Sequence, residues 1–574
     1  MTDSVRGANL VAPKANDQER LVAEVRGLLT FEDCPTILRA SGLSSLLSRF
    51  GRVFQSAHGS AYTYQLSAPV EKIDFFLSHN WAIERWRKYL CLSIHFNFVP
   101  AVIVTAGVLA VAAVLSAQGY FPAASAYEQF EGWKDPAWRE GFVCQVIALP
   151  VFLSVLFFWQ DILLSLGIHG PSTFLDKACI HQEDSDIMRK GIERLGAFIM
   201  RSDKMLILYT ELYLSKLWTI YEVAASLTLN GGASIHVIHI NNSVLLLCML
   251  VATWCTSMGY ILIHEFGGSF LTFYAVMGVL SGFCFRHLRL WQIRKNEAEL
   301  RIATFDVRAC TCAVETDRPA VYLNISRLMR FSESVIQNAS QEEALDAFNL
   351  RVRSELLKAF QASSSASAFQ YYHYVVLGWL SSGGKGLDML VSLDRGLDPR
   401  YLLSFNLNVF AWVFGVWPLC YLLLGKAAAA NTHLKGWRKV LWIIVGFCSP
   451  FVFGILMSVV TQTVRHRSET SDAWLLAGFV MGPVLVSAAQ SLIFWEGRSQ
   501  RRSRTTLQEQ MEKIIALKSV FSTNTSLTGD DACRGVASSR PTLNGDMDID
   551  PGDILYFPPW DDQYCGEVVF RDKV

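Results

Sequence analysis

Two hydrophobic patterns share this chain. The first consists of long apolar runs: Phe96–Ala117, Phe142–Gln160, Ser243–Ile263, Ser269–Phe285, Leu402–Leu424, Val440–Val460 and Trp474–Phe494. Each comes near the length of about 20 residues that a helix needs to cross a bilayer, so seven firm spans are expected. Basic residues mark their cytosolic ends, with Arg85, Arg87 and Lys88 before the first span and Arg286, Arg289, Arg294 and Lys295 after the fourth. Seven crossings would leave Lys426, Lys435, Arg438 and Lys439 outside the cytosol, together with Arg498, Arg501, Arg502 and Arg504. An extra crossing would bring them back inside. Only Tyr371–Leu393 is long enough to supply it, although Gly383, Gly384, Lys385, Gly386 and Asp388 interrupt its apolar character. We therefore expect an eighth, irregular span and a cytosolic tail.

The second pattern is short and alternating. Thr173–Lys177, Met205–Tyr209 and Ser234–Ile240 read as buried strands. Between them, Ser185–Arg201 and Leu217–Leu229 carry apolar residues at helical spacing. Such alternation implies right-handed crossovers and a parallel sheet. Its missing first strand is Lys72–Leu77, placed before the first membrane hairpin, and the order of elements makes it the central one. The chain then divides as follows: a cytosolic helical preface (1–71), a split α/β domain (72–89 and 167–242), an inserted transmembrane hairpin (96–160), a second hairpin (243–285), a cytosolic helical segment (286–370), the irregular span (371–393), three transmembrane helices (402–494) and a polar, mostly disordered tail (498–574).

Composition agrees with membrane embedding. Of the 574 residues, 51% are hydrophobic and 12% aromatic, and no N-terminal signal peptide is visible. A net charge of zero gives no electrostatic reason to expect nucleic acid as a partner. The thirteen Cys show no paired ligand spacing, and Cys310-x-Cys312 stands without a second pair, so no metal is expected. No Walker loop, dinucleotide fingerprint or kinase set occurs. The seven firm spans lack ionisable residues at mid-depth, which argues against a pump.

Two short blocks carry a resemblance. Asp74-Phe75-Phe76-Leu77-Ser78 is a strand leading into a Ser-bearing loop, and Ser215-x-x-Trp218-x-x-x-Glu222 opens the helix after the third strand of the series. Together, over 72–81 and 172–241, they resemble the Toll/interleukin-1 receptor (TIR) domain family, with Thr219 where that family usually has Cys. The resemblance implies a flavodoxin-like parallel sheet, here split by a transmembrane hairpin, joined to a polytopic helical membrane domain. It also implies a role for Glu222, because the corresponding glutamate is catalytic in the members that cleave NAD. NAD would then be a substrate, with no resident cofactor. A carboxylate beside the ribose can hold its hydroxyls and stabilise an oxocarbenium-like transition state. Trp218 and Trp81 offer stacking surfaces, Ser78 and Asp176 lie on the loops beside them, and Ala178–Asp184 would form a rim. The expected partners are the lipid bilayer and other TIR domains through self-association. The alternatives are a non-catalytic assembly scaffold, and a channel or transporter with a cytosolic regulatory domain.

Overall fold

The computed structural model describes residues 24–432 except 33, 122–123, 126–138, 267–269, 333–338, 364–368, 392–405, 407–408 and 411, and also residue 437. All lie in the first of two compact units, Met1–Leu507, the second being Gln508–Val574. The spans expected at Val440–Val460 and Trp474–Phe494, and the tail, lie outside the described residues.

Strands β1 (Arg39–Gly42), β2 (Ser67–Pro69) and β3 (Ile73–Ser78) precede a long helix, α1 (Arg85–Ala117). The tiny hairpin of β4 (Ala124–Ser125) and β5 (Arg139–Glu140) leads to helix α2 (Val143–Ser165). Then come β6 (Ser172–Phe174), β7 (Ser202–Tyr209), helix α3 (Leu217–Leu229) and β8 (Ile235–His239). Helices α4 (Ile240–Phe266), α5 (Phe270–Ala303) and α6 (Trp417–Thr432) complete the main elements.

Six strands form one sheet in the order β2-β1-β6-β3-β7-β8. Strands β6, β3, β7 and β8 are parallel neighbours, so the strand at Lys72–Leu77 is interior and pairs on both sides. Its two neighbours lie beyond the membrane hairpin in sequence. Met205–Tyr209 is buried throughout, as a parallel strand covered on both faces must be.

The sheet departs from the all-parallel expectation at one edge, where β1 pairs antiparallel with both β6 and β2. The expected helical preface therefore contains two strands. Each is only three or four residues long, too short for a period-2 pattern to be distinguished from a helix turn. The strand expected over Thr173–Lys177 ends at Phe174, and Asp176–Cys179 forms one helical turn. The helix expected over Ser185–Arg201 is broken at Arg194 into Ser185–Glu193 and Leu195–Met200.

The described residues between 298 and 360 do not stand apart as a separate segment. Val321, Ile325, Leu328, Met329, Phe348 and Phe360 join the core that holds the sheet. The Thr311 amide donates to the Ser215 carbonyl at 2.7 Å, and the Leu217 amide donates to the Thr311 carbonyl at 3.0 Å, pinning this segment to the start of α3.

A second core belongs to the helices and includes Phe98, Leu109, Phe152, Leu245, Met249, Leu377, Leu380 and Tyr421. Among the described residues, four helices are long and apolar enough to cross a membrane: α1, α2, Ile240–Gly259 and Trp412–Ala429. Valines on α1 at positions 99, 108, 111 and 114 face outward, as a lipid-contacting surface requires.

Tyr371–Asp388 is helical throughout, with a π turn at Trp379–Gly383. The His373 ring lies 4.9 Å from that of Phe98, Gln145 Nε2 donates to the Ser381 carbonyl at 3.0 Å, and the Asp388 carboxylate accepts from the amides of Cys144 (2.8 Å) and Gln145 (3.0 Å). The segment thus runs antiparallel to α2. A side chain at Gly384 would meet the Gln145 backbone at 2.6 Å, so only glycine allows this approach.

Candidate functional site

Parallel sheets collect chemistry at the carboxyl ends of their strands, where loops begin and the order of crossovers reverses. Here β3 has β6 on one side and β7 on the other, although β6 and β7 follow each other in sequence. Ser78, the last residue of β3, lies at that point.

Ser78 Oγ shares a hydrogen bond of 2.6 Å with the hydroxyl of Tyr213, and it donates to the Glu222 carboxylate. Tyr213 comes from the turn after β7, and Glu222 from the second turn of α3. The Thr219 hydroxyl donates to the Tyr213 carbonyl at 2.7 Å and to the Lys216 carbonyl at 2.8 Å, tying α3 to that turn. The Thr219 hydroxyl thus performs a backbone-locking role.

The Glu222 residue keeps some exposed surface, but its carboxylate lies deep among protein atoms. Burial pushes its pKa up to about 8, Ser78 opposes that shift, and the negative charge of Asp176 adds to it. Near neutral pH this group is therefore mostly protonated and can change state within the physiological range. Burial also raises the Tyr213 phenol well above its ordinary value, with Glu222 adding to the effect.

A second group lies beside the first. The indole nitrogen of Trp81 donates to Asp176 at 2.7 Å, and the other oxygen of Asp176 accepts from the Lys177 amide at 2.7 Å. Desolvation raises the Asp176 pKa despite these bonds. Lys88 Nζ stands 4.6 Å and Lys177 Nζ 4.9 Å from the centre of the Trp81 ring. His79 meets the same ring edge-on at 4.5 Å.

Of the residues singled out in the sequence, Ser78 and Glu222 are brought into contact, as are Trp81 and Asp176. Trp218 is half-buried and packs edge-on against Tyr221, on the margin of the sheet's core. The stretch Ala178–Asp184 does border the region. It is held by Glu183, which accepts from the Ala61 amide at 3.0 Å, and by His181, whose ring meets that of Tyr64.

Sequence reasoning missed Tyr213, which sits in a turn with no pattern of its own. It also missed Lys177, taken as the end of a strand, and it read Lys88 only as a marker of membrane orientation. Among the described residues, no group of three or more His, Cys, Asp or Glu is placed to hold a metal ion. Compared with protein-family models, curated proteins and solved structures, the chain matches none.

Proposed function

We propose that this is a membrane-tethered signalling protein whose sheet domain is TIR-like and cleaves NAD to nicotinamide and ADP-ribose, with Glu222 as the catalytic carboxylate. The observation that carries this reading is the Ser78–Tyr213–Glu222 cluster. One carboxylate with a raised pKa, oriented by a serine hydroxyl, lies at the carboxyl ends of parallel strands where the crossover order reverses. Perturbed carboxylates in such places suit transition states that develop positive charge. In its ionised form Glu222 would stabilise the oxocarbenium-like ribose as nicotinamide leaves. The half-exposed Trp81 offers a face for an aromatic ring.

The apolar helices support a membrane location, and the sheet sits at the ends of α1, α2 and α4. Arg87 on the first turn of α1 donates to Asn241 beside β8 at 2.5 Å, tying the base of this apolar helix to the end of the sheet.

The direct test is to incubate the purified full-length protein with NAD and follow nicotinamide release. Glu222→Ala should abolish release and leave the fold intact, because the carboxylate is needed in the transition state. Release that persists undiminished in Glu222→Ala removes this residue from the mechanism.

The alternative of a channel or transporter has one observation behind it. Gln145, Ser257, Ser381 and Asp388 form a buried polar cluster inside the helical bundle. Polar groups inside membrane bundles commonly line solute paths. Solute flux in proteoliposomes that is lost in Asp388→Asn would favour it.

A further inference from the structure

We propose that Lys88, Lys177 and Asn80 form a binding site for a phosphate group, close along the chain to Ser78. Buried lysines are almost always paired with a carboxylate. Lys88 is 0% exposed and Lys177 5% exposed. Yet among the described residues neither has a carboxylate oxygen within 4.0 Å. Each ammonium instead has a single backbone carbonyl: Trp81 at 3.3 Å for Lys88, and Ser56 at 2.6 Å for Lys177. Asp176 sits nearby, but both of its oxygens are engaged by Trp81 and the Lys177 amide. Two cations therefore share one indole with most of their donor capacity unspent.

A second, independent observation points the same way. His79 and Asn80, each 7% exposed, follow directly on β3 and have unpartnered side-chain nitrogens, Nε2 and Nδ2. The other end of Asn80 is fixed, since its Oδ1 accepts from the Ala82 amide at 2.9 Å. Leaving a buried donor such as Asn80 Nδ2 unmade is costly, whereas His79 donates from its other ring nitrogen to the Leu77 backbone, so its Nε2 is a lone pair that only borders the site. A tetrahedral oxyanion satisfies both needs at once, because it brings negative charge and several acceptor oxygens. A cationic ligand would aggravate the imbalance, and a neutral one would leave it uncorrected.

The neighbours of the two ammonium groups are Trp81, on the loop after β3, Asp176, after β6, and Ser56, between β1 and β2, all belonging to the sheet domain rather than to an outward-facing apolar helix surface. This favours a soluble phosphate ester over a phospholipid headgroup. That the phosphate belongs to a dinucleotide rests on the NAD reading above, whereas the anion site itself does not.

The test uses full-length protein in phosphatidylcholine nanodiscs, with inorganic pyrophosphate as the probe and the melting temperature as the readout. Pyrophosphate should raise the melting temperature of the native protein and of Glu222→Gln alike. Lys177→Gln and Lys88→Gln should each weaken binding about tenfold, the loss of one charge-assisted contact. Should either lysine variant fail to fold, Asn80→Asp serves in its place. It puts a carboxylate among the same donors, and it should stabilise the protein and abolish the response to pyrophosphate. No shift in the native protein, or an equal shift in the variants, overturns the proposal. Nanodiscs that also contain phosphatidic acid separate the two phosphate sources. A pyrophosphate response that survives there supports the soluble ligand, and one that disappears assigns the site to a headgroup and overturns that choice. Binding of pyrophosphate without nicotinamide release keeps this site and rejects the NAD reading; release without binding does the reverse.

Discussion

At the scale of single residues, the proton on Glu222 has a consequence for stability. Its pKa rises from an ordinary 4.5 to about 8 in the fold. Between those two values the folded state binds more protons than the unfolded one, so stability falls as pH rises. The favourable contribution is complete below about pH 4.5 and is lost by about pH 8. Glu222→Gln, which has no charge to bury, should therefore melt higher than the native protein above pH 8 and at nearly the same temperature near pH 4. Melting curves across that range check it, and a constant difference at every pH would remove burial of the carboxylate as the cause. Glu222 and Ser78 were legible in the sequence because each follows a strand or opens a helix in a motif of fixed spacing. Tyr213, His79 and Asn80 were not, because what matters about them is a hydroxyl across a gap or a nitrogen without a partner. Neither property leaves a mark on periodicity.

At the scale of elements, period and length were good guides where packing agrees with local preference. The expected helix Leu217–Leu229 is realised to the residue, and the four parallel strands lie within three residues of their expected starts. Guidance failed at short or shared elements. Strands β1 and β2 owe their existence to the edge that β6 offers them. Asp176–Cys179 turns helical because Asp176 is drawn to Trp81 rather than extended into the sheet.

The segment Tyr371–Asp388 shows the same tension in the membrane region. Its glycines and Asp388 weaken an isolated span, but here they serve packing. Asp388 caps the start of α2 from a neighbouring helix, supplying acceptors to amides that have no partner in their own helix. Asp388→Ala should thus cost about 1–3 kcal/mol, the penalty for leaving buried donors unmade. Unfolding of the purified protein in mixed micelles measures it, and a loss well below that range would mean that the amides find other acceptors.

At the scale of the whole molecule, the course of Tyr371–Asp388 bears on how many times the chain would cross a bilayer. It starts level with Phe98 and finishes at the first turn of α2, so it descends the same wall as α1. Helix α6 then returns beside it, with Trp417 meeting Ser382 (3.0 Å) and Tyr421 stacking on Tyr374 (5.8 Å). Were Tyr371–Asp388 to cross a bilayer, as the charge bias predicts, this path would bring Lys426 back to the side of Arg85 and Arg87. The sequon Asn524-Thr525-Ser526 in the tail provides the check. With eight crossings no glycan should attach there; a glycosidase-sensitive mobility shift that vanishes in Asn524→Gln would restore seven.

The interior position of β3 sets a timetable for synthesis. This strand leaves the ribosome before residues 79–171, which hold both helices of the first hairpin, and its partners β6 and β7 come only afterwards. At typical elongation rates of about 5–20 residues per second, β3 waits roughly 5–20 s with both edges bare. Its apolar residues Ile73, Phe76 and Leu77 are then open to chaperones and to aggregation. The wait ends once α1 and α2 have been made and pack antiparallel, because that pair returns the chain to β3 and lets β6 and then β7 cover its edges. The order of synthesis thus makes the helical hairpin a prerequisite of the sheet, and with it of any site at the strand ends.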